Sequence, residues 1–419
     1  IGLDGGRQAE VDHMGRELQV LGKPVPSVPG KNITLSLDVR LQKVATDAMK
    51  GESGAVIVMN PKTGGILALA SFPDFDPNLF SGGIDPENWK RLLENPQHPM
   101  ENKAIQGLYA PGSIFKVVTA YAGLEKGAIT PETEYVCKGF FHVKGRSEPF
   151  KCWKEETGHG RVKLHDAIKG SCNVFFYNTG MGAGVDELHK YASLFRLGKL
   201  TGVGLLNEKA GLIPSNSWKK RVFNEPWYGG ETTSMSIGQG YIIVTPLQVI
   251  NMINILANDG MWMPPRLFLE DEGTAPQQIP LNKEYLSLIR KGMVAVVNEA
   301  GGTARKVQFE EFTVAGNTAT SQVISTKTME TLDEEAKLKK EFQNHAWFVA
   351  FGPAEDPEIS VIALVEHGGG GSRAAAPVVR KILNYYIDNI YKPKSKKTVQ
   401  TNLESKNLKF RTRLQMAFN

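Results

Sequence analysis

The pattern of apolar and polar positions divides the chain into a polar lead-in, a long mixed body and a basic tail. Residues 1–50 are polar overall, with a Pro/Gly-rich stretch from Gly22 to Gly30. Ile33, Leu35, Leu37 and Val39 then alternate with polar neighbours, a period of two that predicts one face of a strand. Ala55 to Met59 and Ile66 to Ala70 flank the turn Asn60-Pro61-Lys62-Thr63-Gly64-Gly65, which predicts a β-hairpin. Ile114 to Leu124 and Ile242 to Ala257 are apolar nearly all round. Both predict helices buried in the centre of a fold, the second entered through Thr245-Pro246. Phe312 to Ile324 and Trp347 to Val365 predict neighbouring antiparallel strands, and Val378 to Tyr391 a closing helix. No internal repeat interrupts this order. It predicts an α+β fold, an antiparallel sheet with helices on both sides.

Composition changes the picture only at the end of the chain. With 41% hydrophobic and 22% charged residues among 419, bulk disorder is excluded. No 18-residue apolar run is present, so no segment is expected to span a bilayer, and Ile1 to Gly6 carry no signal-peptide pattern. The net charge of +5 is uneven. Lys392, Lys394, Lys396, Lys397, Lys406, Lys409, Arg411 and Arg413 face a single acid, Glu404, in the tail, which leaves the body slightly negative. A polyanion-binding body is therefore excluded, and no nucleic-acid partner is expected. The tail reads either as a solvated terminus or as a contact for anionic lipid or an acidic partner.

The segment Tyr109-Ala-Pro-Gly-Ser-Ile-Phe-Lys116 carries the first candidate chemistry. Pro111-Gly112 breaks the chain and a helix is expected to begin at Ser113, with Lys116 three residues on and on the same face. Serine needs an adjacent base to act as a nucleophile. A lysine desolvated by Phe115 and Val117 has a lowered pKa and can take the hydroxyl proton. The Ser113 N–H, at a helix start, favours a developing oxyanion. Ser217-Trp-Lys-Lys220 repeats the spacing, but there Ser217 is expected to cap a helix and Lys220 to be solvated. Further on, Lys169-Gly-Ser-Cys-Asn-Val-Phe-Phe-Tyr177 offers Ser171 and Asn173 before an apolar helix; Ser405-Lys-Asn407 in the tail has the same tripeptide form.

Ser-x-x-Lys followed by Ser-x-Asn resembles the penicillin-binding transpeptidases and serine β-lactamases, which add a Lys-Thr-Gly strand. Ile105-Gln-Gly-Leu-Tyr-Ala-Pro-Gly-Ser-Ile-Phe-Lys, Trp218-Lys-Lys-Arg, Pro226-Trp-Tyr-Gly-Gly, Ser236-Ile-Gly-Gln-Gly-Tyr and Thr245-Pro-Leu-Gln are similar to class B penicillin-binding proteins of the cell-elongation type. The resemblance runs from about Gly51 to Tyr391. It implies a transpeptidase domain over 51–391, residues 1–50 as the end of an N-terminal pedestal, and 392–419 as an appended tail. It further implies a peptidoglycan D,D-transpeptidase that β-lactams acylate at Ser113. Lys116 would be the base, with Ser171 and Asn173 serving proton transfer and substrate binding. The implied partners are peptidoglycan stem peptides, a membrane glycosyltransferase and scaffold proteins of the elongation complex. The implied location is the periplasmic face of the inner membrane, with an upstream anchoring helix absent from this sequence.

The third motif departs from the family. Lys62-Thr63-Gly64 precedes Ser113 and lies in a hairpin turn, so it is a decoy. The matching strand is Val314-Ala-Gly-Asn-Thr-Ala-Thr-Ser-Gln322, with Asn317, Thr318, Ala319 and Thr320 where Lys, Thr, Gly and Thr would stand. Asn317 lacks the cation, and Ala319 is expected to set a methyl at the strand edge where substrate backbone must approach. Thr318 and Thr320 hydroxyls would still face a terminal carboxylate, and the Thr320 N–H would complete an oxyanion hole. The expected consequence is a weakened transpeptidase or, alternatively, an inactive scaffold subunit.

All three cysteines, Cys137, Cys152 and Cys172, fall close together with His159 among them. Three thiols and an imidazole form a complete tetrahedral Cys3His set, which predicts a structural Zn2+ bracing residues 130–165, a segment with few aliphatics. One cysteine pair with a free thiol, or three unrelated thiols, is the other reading.

Overall fold

The computed structural model describes residues 2–269, 274–323, 335 and 339–391; the basic tail, Ser405-Lys-Asn407 and the strand end expected at Ile324 lie outside the described residues. A five-stranded antiparallel sheet organises the body, in the order Ala315–Ser321, His345–Gly352, Ile359–Val365, Gly54–Met59, Ile66–Phe72. The strands Gly54–Met59 and Ile359–Val365 are buried at every position, so both sheet faces must be covered. Val39–Ala48 and Ala375–Asn389 pack together against the sheet, and Pro246–Ala257 crosses its central strands. Among the described residues no helix is long and apolar enough to cross a membrane.

The expected hairpin is closed by its own turn chemistry. The Asn60 side chain accepts the N–H groups of Lys62 and Thr63, and Gly64 supplies the positive φ of 75°. Lys62 reaches back to Asp356, so the decoy motif has a structural partner. Thr245 and Gln248 form a reciprocal capping box, which is why the apolar helix begins at Pro246. The run Trp347 to Val365 is not one strand but two, His345–Gly352 and Ile359–Val365, paired with each other.

The strand expected over Ile33 to Val39 does not form. Leu35 makes an isolated bridge to Phe268, and a helix starts at Val39. Asp38 decides this, since its carboxylate accepts the N–H groups of Arg40 and Leu41 and caps the helix. The buried positions are then Leu41, Ala45 and Met49, a spacing of four that puts them on one helix face, while Lys43 and Asp47, which a strand would bury beside them, stay unburied. This helix packs on the closing helix, so the folded body takes in residues before Gly51. Upstream, Gly6–Val11 and Glu17–Val25 form a separate two-stranded ribbon with nearly all positions exposed.

Candidate active site and metal centre

Ser113 lies in a 3-10 turn, Gly112–Phe115, that runs straight into the α-helix Lys116–Glu125. A 3-10 turn has three residues per turn, so residue i+3 stands directly over residue i, and Lys116 is aligned behind Ser113. Gly112 enters the turn at φ 55°, where a Cβ would press within 3.2 Å of the Ala319 methyl and the Ser321 hydroxyl. The turn is thus wedged against the edge strand.

Lys116 is 2% exposed, and its Nζ donates to Ser171 O at 2.9 Å, Ser171 Oγ at 2.9 Å and Asn173 Oδ1 at 2.7 Å. Burial lowers its pKa to about 8, while the sulfurs of Cys152 and Cys172 pull the other way. The ring beneath the ammonium is Phe176, 5.5 Å from Nζ to centroid.

Ser171 owes its position to a helix end. The helix Leu164–Lys169 closes with Ser171 N–H on Ile168 O and Cys172 N–H on Ala167 O, the pair of bonds that requires a left-handed residue between them. Glycine is the usual occupant; here Ser171 holds φ 52°. That twist brings both its carbonyl and its hydroxyl to Lys116. The next helix starts at once with Asn173, whose Nδ2 donates to Lys151 O, as does the Tyr177 hydroxyl.

Asn317, 3% exposed, points back toward the nucleophile turn, with Nδ2 3.4 Å from Ser113 O. Thr318 Oγ1 pairs with Thr303 Oγ1 at 2.9 Å, and Thr320 O accepts from Gln239 Nε2 at 3.3 Å. Ser113, Ser171, Asn173, Thr318, Ala319 and Thr320 line one cleft of about 960 Å³. The expectation for Ala319 is corrected. Ala319 pairs with Trp347 across the ladder, so its side chain shares a face with Ser321, and its methyl packs against Gly112 rather than standing on the open edge. The Ser217-to-Lys220 reading is corrected in part: Ser215 is the cap, accepting from Trp218 N–H, and Ser217 lies inside the helix, while Lys220 is exposed as expected.

Cys137, Cys152, His159 and Cys172 converge, with their ligand atoms all within 4.8 Å of one another, and the three cysteines are free and buried. His159 Nδ1 is 3.6 Å from Cys137 Sγ and 3.5 Å from Cys152 Sγ. Tetrahedral Zn–S and Zn–N bonds of about 2.3 and 2.0 Å imply a sulfur–nitrogen edge of about 3.5 Å, so these residues fit a metal ion. His159 Nε2 meets Gly170 O at 3.1 Å, which fixes the tautomer that leaves Nδ1 free to ligate. Cys152 is held well below the usual thiol range chiefly by its hydrogen bond with Cys172, against burial. The cluster can hold a metal.

The centre and the cleft share a wall. Trp153, next to Cys152, donates through Nε1 to both Gly170 O and Ser171 O at 3.1 Å, and the hairpin Phe140–Lys151 brings Glu148 to Lys151 to the cleft. Sequence reading named the four residues of this cluster as candidate ligands but not Trp153, Tyr177 or Gln239. The doublet Gly238-Gln239-Gly240 was the available signal for Gln239, since a Cβ at Gly238 would collide with Gly112 O.

The family profile described as penicillin binding protein transpeptidase domain matches residues 54–384. The chain is 37% identical over 398 residues to the peptidoglycan D,D-transpeptidase MrdA of Haemophilus influenzae, covering 92% of this chain and 61% of that protein. It is 35% identical over 397 residues to MrdA of Escherichia coli, covering 92% and 62%. Among solved structures it is similar to PBP2 of Helicobacter pylori in complex with MreC, with TM-score 0.81 and 33% identity over 93% of this chain and 70% of that one. It is also similar to Pseudomonas aeruginosa PBP2 in complex with WCK 5153, with TM-score 0.79 and 33% identity over 89% and 80%. With matching order of motifs, sheet and cleft, the chain belongs to the penicillin-binding protein transpeptidase family, in its class B elongation-type branch.

Proposed function

We propose that this chain is a peptidoglycan D,D-transpeptidase of cell elongation, working through a Ser113 acyl-enzyme. The observation that carries the reading is the buried Lys116, lowered to about 8, bonded to Ser171 and Asn173 and aligned behind Ser113. A neutral amine has two N–H groups and one lone pair. The two N–H groups can serve Ser171 O and Asn173 Oδ1, and with the Ser171 hydroxyl hydrogen turned away from Nζ the lone pair can take the Ser113 hydroxyl proton. Ser113 Oγ then bonds the carbonyl carbon of the penultimate D-Ala, and the oxyanion rests on the N–H groups of Ser113 and Thr320. Collapse breaks the peptide C–N bond. The proton moves through Ser171 Oγ to the departing D-Ala amine. An amine of a neighbouring stem peptide attacks the ester, returns its proton by the same route and frees Ser113. Asn173 holds the substrate amide, and the Thr318 and Thr320 hydroxyls hold the terminal carboxylate.

The metal in this reading is Zn2+, held by Cys137, Cys152, His159 and Cys172; a closed four-ligand site supplies rigidity and no open coordination position. Cys172 lies between Ser171 and Asn173, so the centre fixes both. The chain spans about 61% of the length of its Haemophilus relative. The membrane anchor, periplasmic location, glycosyltransferase partner and elongation scaffold proteins are proposed with the whole protein in mind. A complex with MreC is the described state of the Helicobacter pylori relative.

Intact-mass measurement after incubation with penicillin tests the reading. One adduct per chain, lost in Ser113→Ala, is expected; an adduct that survives the substitution removes Ser113 from its role. Asn317 favours a second reading, a scaffold subunit of reduced activity, because it replaces the motif's lysine with a neutral amide. A parent protein that takes no penicillin supports that one.

A further inference from the structure

A second cavity of about 560 Å³ adjoins the catalytic cleft, and Arg146 and Ser234 line both. Its walls are the hairpin tip Val143 to Arg146 on one side and Trp227, Tyr228 and Tyr241 on the other. We propose that this cavity is the subsite for a carboxylate-bearing segment of the donor peptide, upstream of its terminal D-alanines; the proposal rests on the transpeptidase reading above.

The aromatic wall is built in advance. Lys219, its side chain only 4% exposed, ion-pairs with Glu231 and with Glu225 at 3.4 Å. Its Nζ donates to the Tyr241 hydroxyl at 3.0 Å and stands 5.0 Å from the Tyr241 ring centroid and 5.9 Å from that of Tyr228. Glu231, the acid of the cavity wall, is fully engaged: besides Lys219 it accepts the Tyr228 N–H at 2.9 Å. Its carboxylate is therefore paired within the wall, which lessens its repulsion of an anion.

The remaining charges are positive. Arg146 is stacked over Phe150, 4.3 Å from guanidinium carbon to ring centroid, and its Nε is taken by Glu148 O at 3.1 Å. Among the described residues it forms no ion pair, so its terminal nitrogens face the cavity with a forked donor set that matches a carboxylate. Lys144 adds a second cation at the rim. Tyr228, 54% exposed, and Trp227 offer flat faces to the aliphatic part of the same residue. Continuity with the cleft makes the occupant a continuation of the molecule held at Ser113.

The test uses two pentapeptides, L-Ala-γ-D-Glu-L-Lys-D-Ala-D-Ala and the same peptide with the D-Glu α-carboxylate converted to carboxamide. Each competes with fluorescent penicillin for acylation of the whole chain, and the ratio of their inhibition constants is read within each variant. The acid form is expected to compete about tenfold better, the size of one charge-assisted pair, and the ratio to fall to about one in Arg146→Ala. Arg146→Lys should restore part of it. Equal competition in the parent, no competition by either peptide, or a ratio that survives Arg146→Ala overturns the subsite. Failure of penicillin to label Ser113 at all would instead remove the transpeptidase reading.

Discussion

Lys116 meets Ser171 twice, at its carbonyl and its hydroxyl, each 2.9 Å from Nζ. The left-handed Ser171, at φ 52°, presents both from the end of one helix, two residues before the first residue of the next. The proposed proton route thus rests on a backbone conformation that helix ends usually give to glycine.

Ser171→Gly separates these two functions. Glycine relieves a left-handed conformation that costs on the order of 1 kcal/mol, and it loses the hydroxyl. Melting temperature is expected to hold or rise while penicillin acylation drops by about a hundredfold or more. A fall in melting temperature with acylation intact would show that the side chain serves packing and not proton transfer.

The pH profile follows from Lys116. Its folded pKa is lowered to about 8 by burial, and in the proposed mechanism the neutral form is the base. Acylation should therefore rise about tenfold per pH unit up to about 8 and level off above it. Stopped-flow acylation from pH 6 to pH 10 checks this, and a flat profile below pH 8 assigns the base elsewhere.

Asn317→Lys should raise the second-order acylation rate by at least about tenfold, about 1.4 kcal/mol of barrier. The added cation lies near Lys116 and should also move the pH midpoint downward. Ala319→Gly should change the rate less than about twofold, since the methyl faces Gly112. A large gain from Ala319→Gly alone would return the methyl to the substrate edge.

One zinc per chain is expected by elemental analysis of protein purified without chelator. Cys152→Ser should lower melting temperature by about 4 °C or more, reflecting about 2 kcal/mol, and slow acylation through the wall that carries Ser171. Thiolates release protons on binding, so retention of the metal should weaken as pH falls. Metal well below one per chain, with a disulfide between two of these cysteines, would replace the centre with an oxidised pair.

What the sequence determined by itself was everything carried by short-range chemistry. The Asn60-to-Gly65 turn made its hairpin, Thr245 and Gln248 capped their helix, and Ser113 fell three residues before Lys116 on one face. These depend on neighbours within four residues, so their spacing is the physics. The strand over Ile33 to Val39 failed for the same reason read too narrowly, because alternation over four apolar positions yielded to one Asp38 cap and to burial at Leu41 and Ala45. The four metal ligands were visible as a composition, but their convergence needed two short hairpins and a helix end to fold onto each other. Only the tertiary structure decided where Ala319 points, through its pairing with Trp347, and that Ser171 would take a glycine conformation. Both are set by contacts far away in sequence, and no local preference of alanine or serine encodes them.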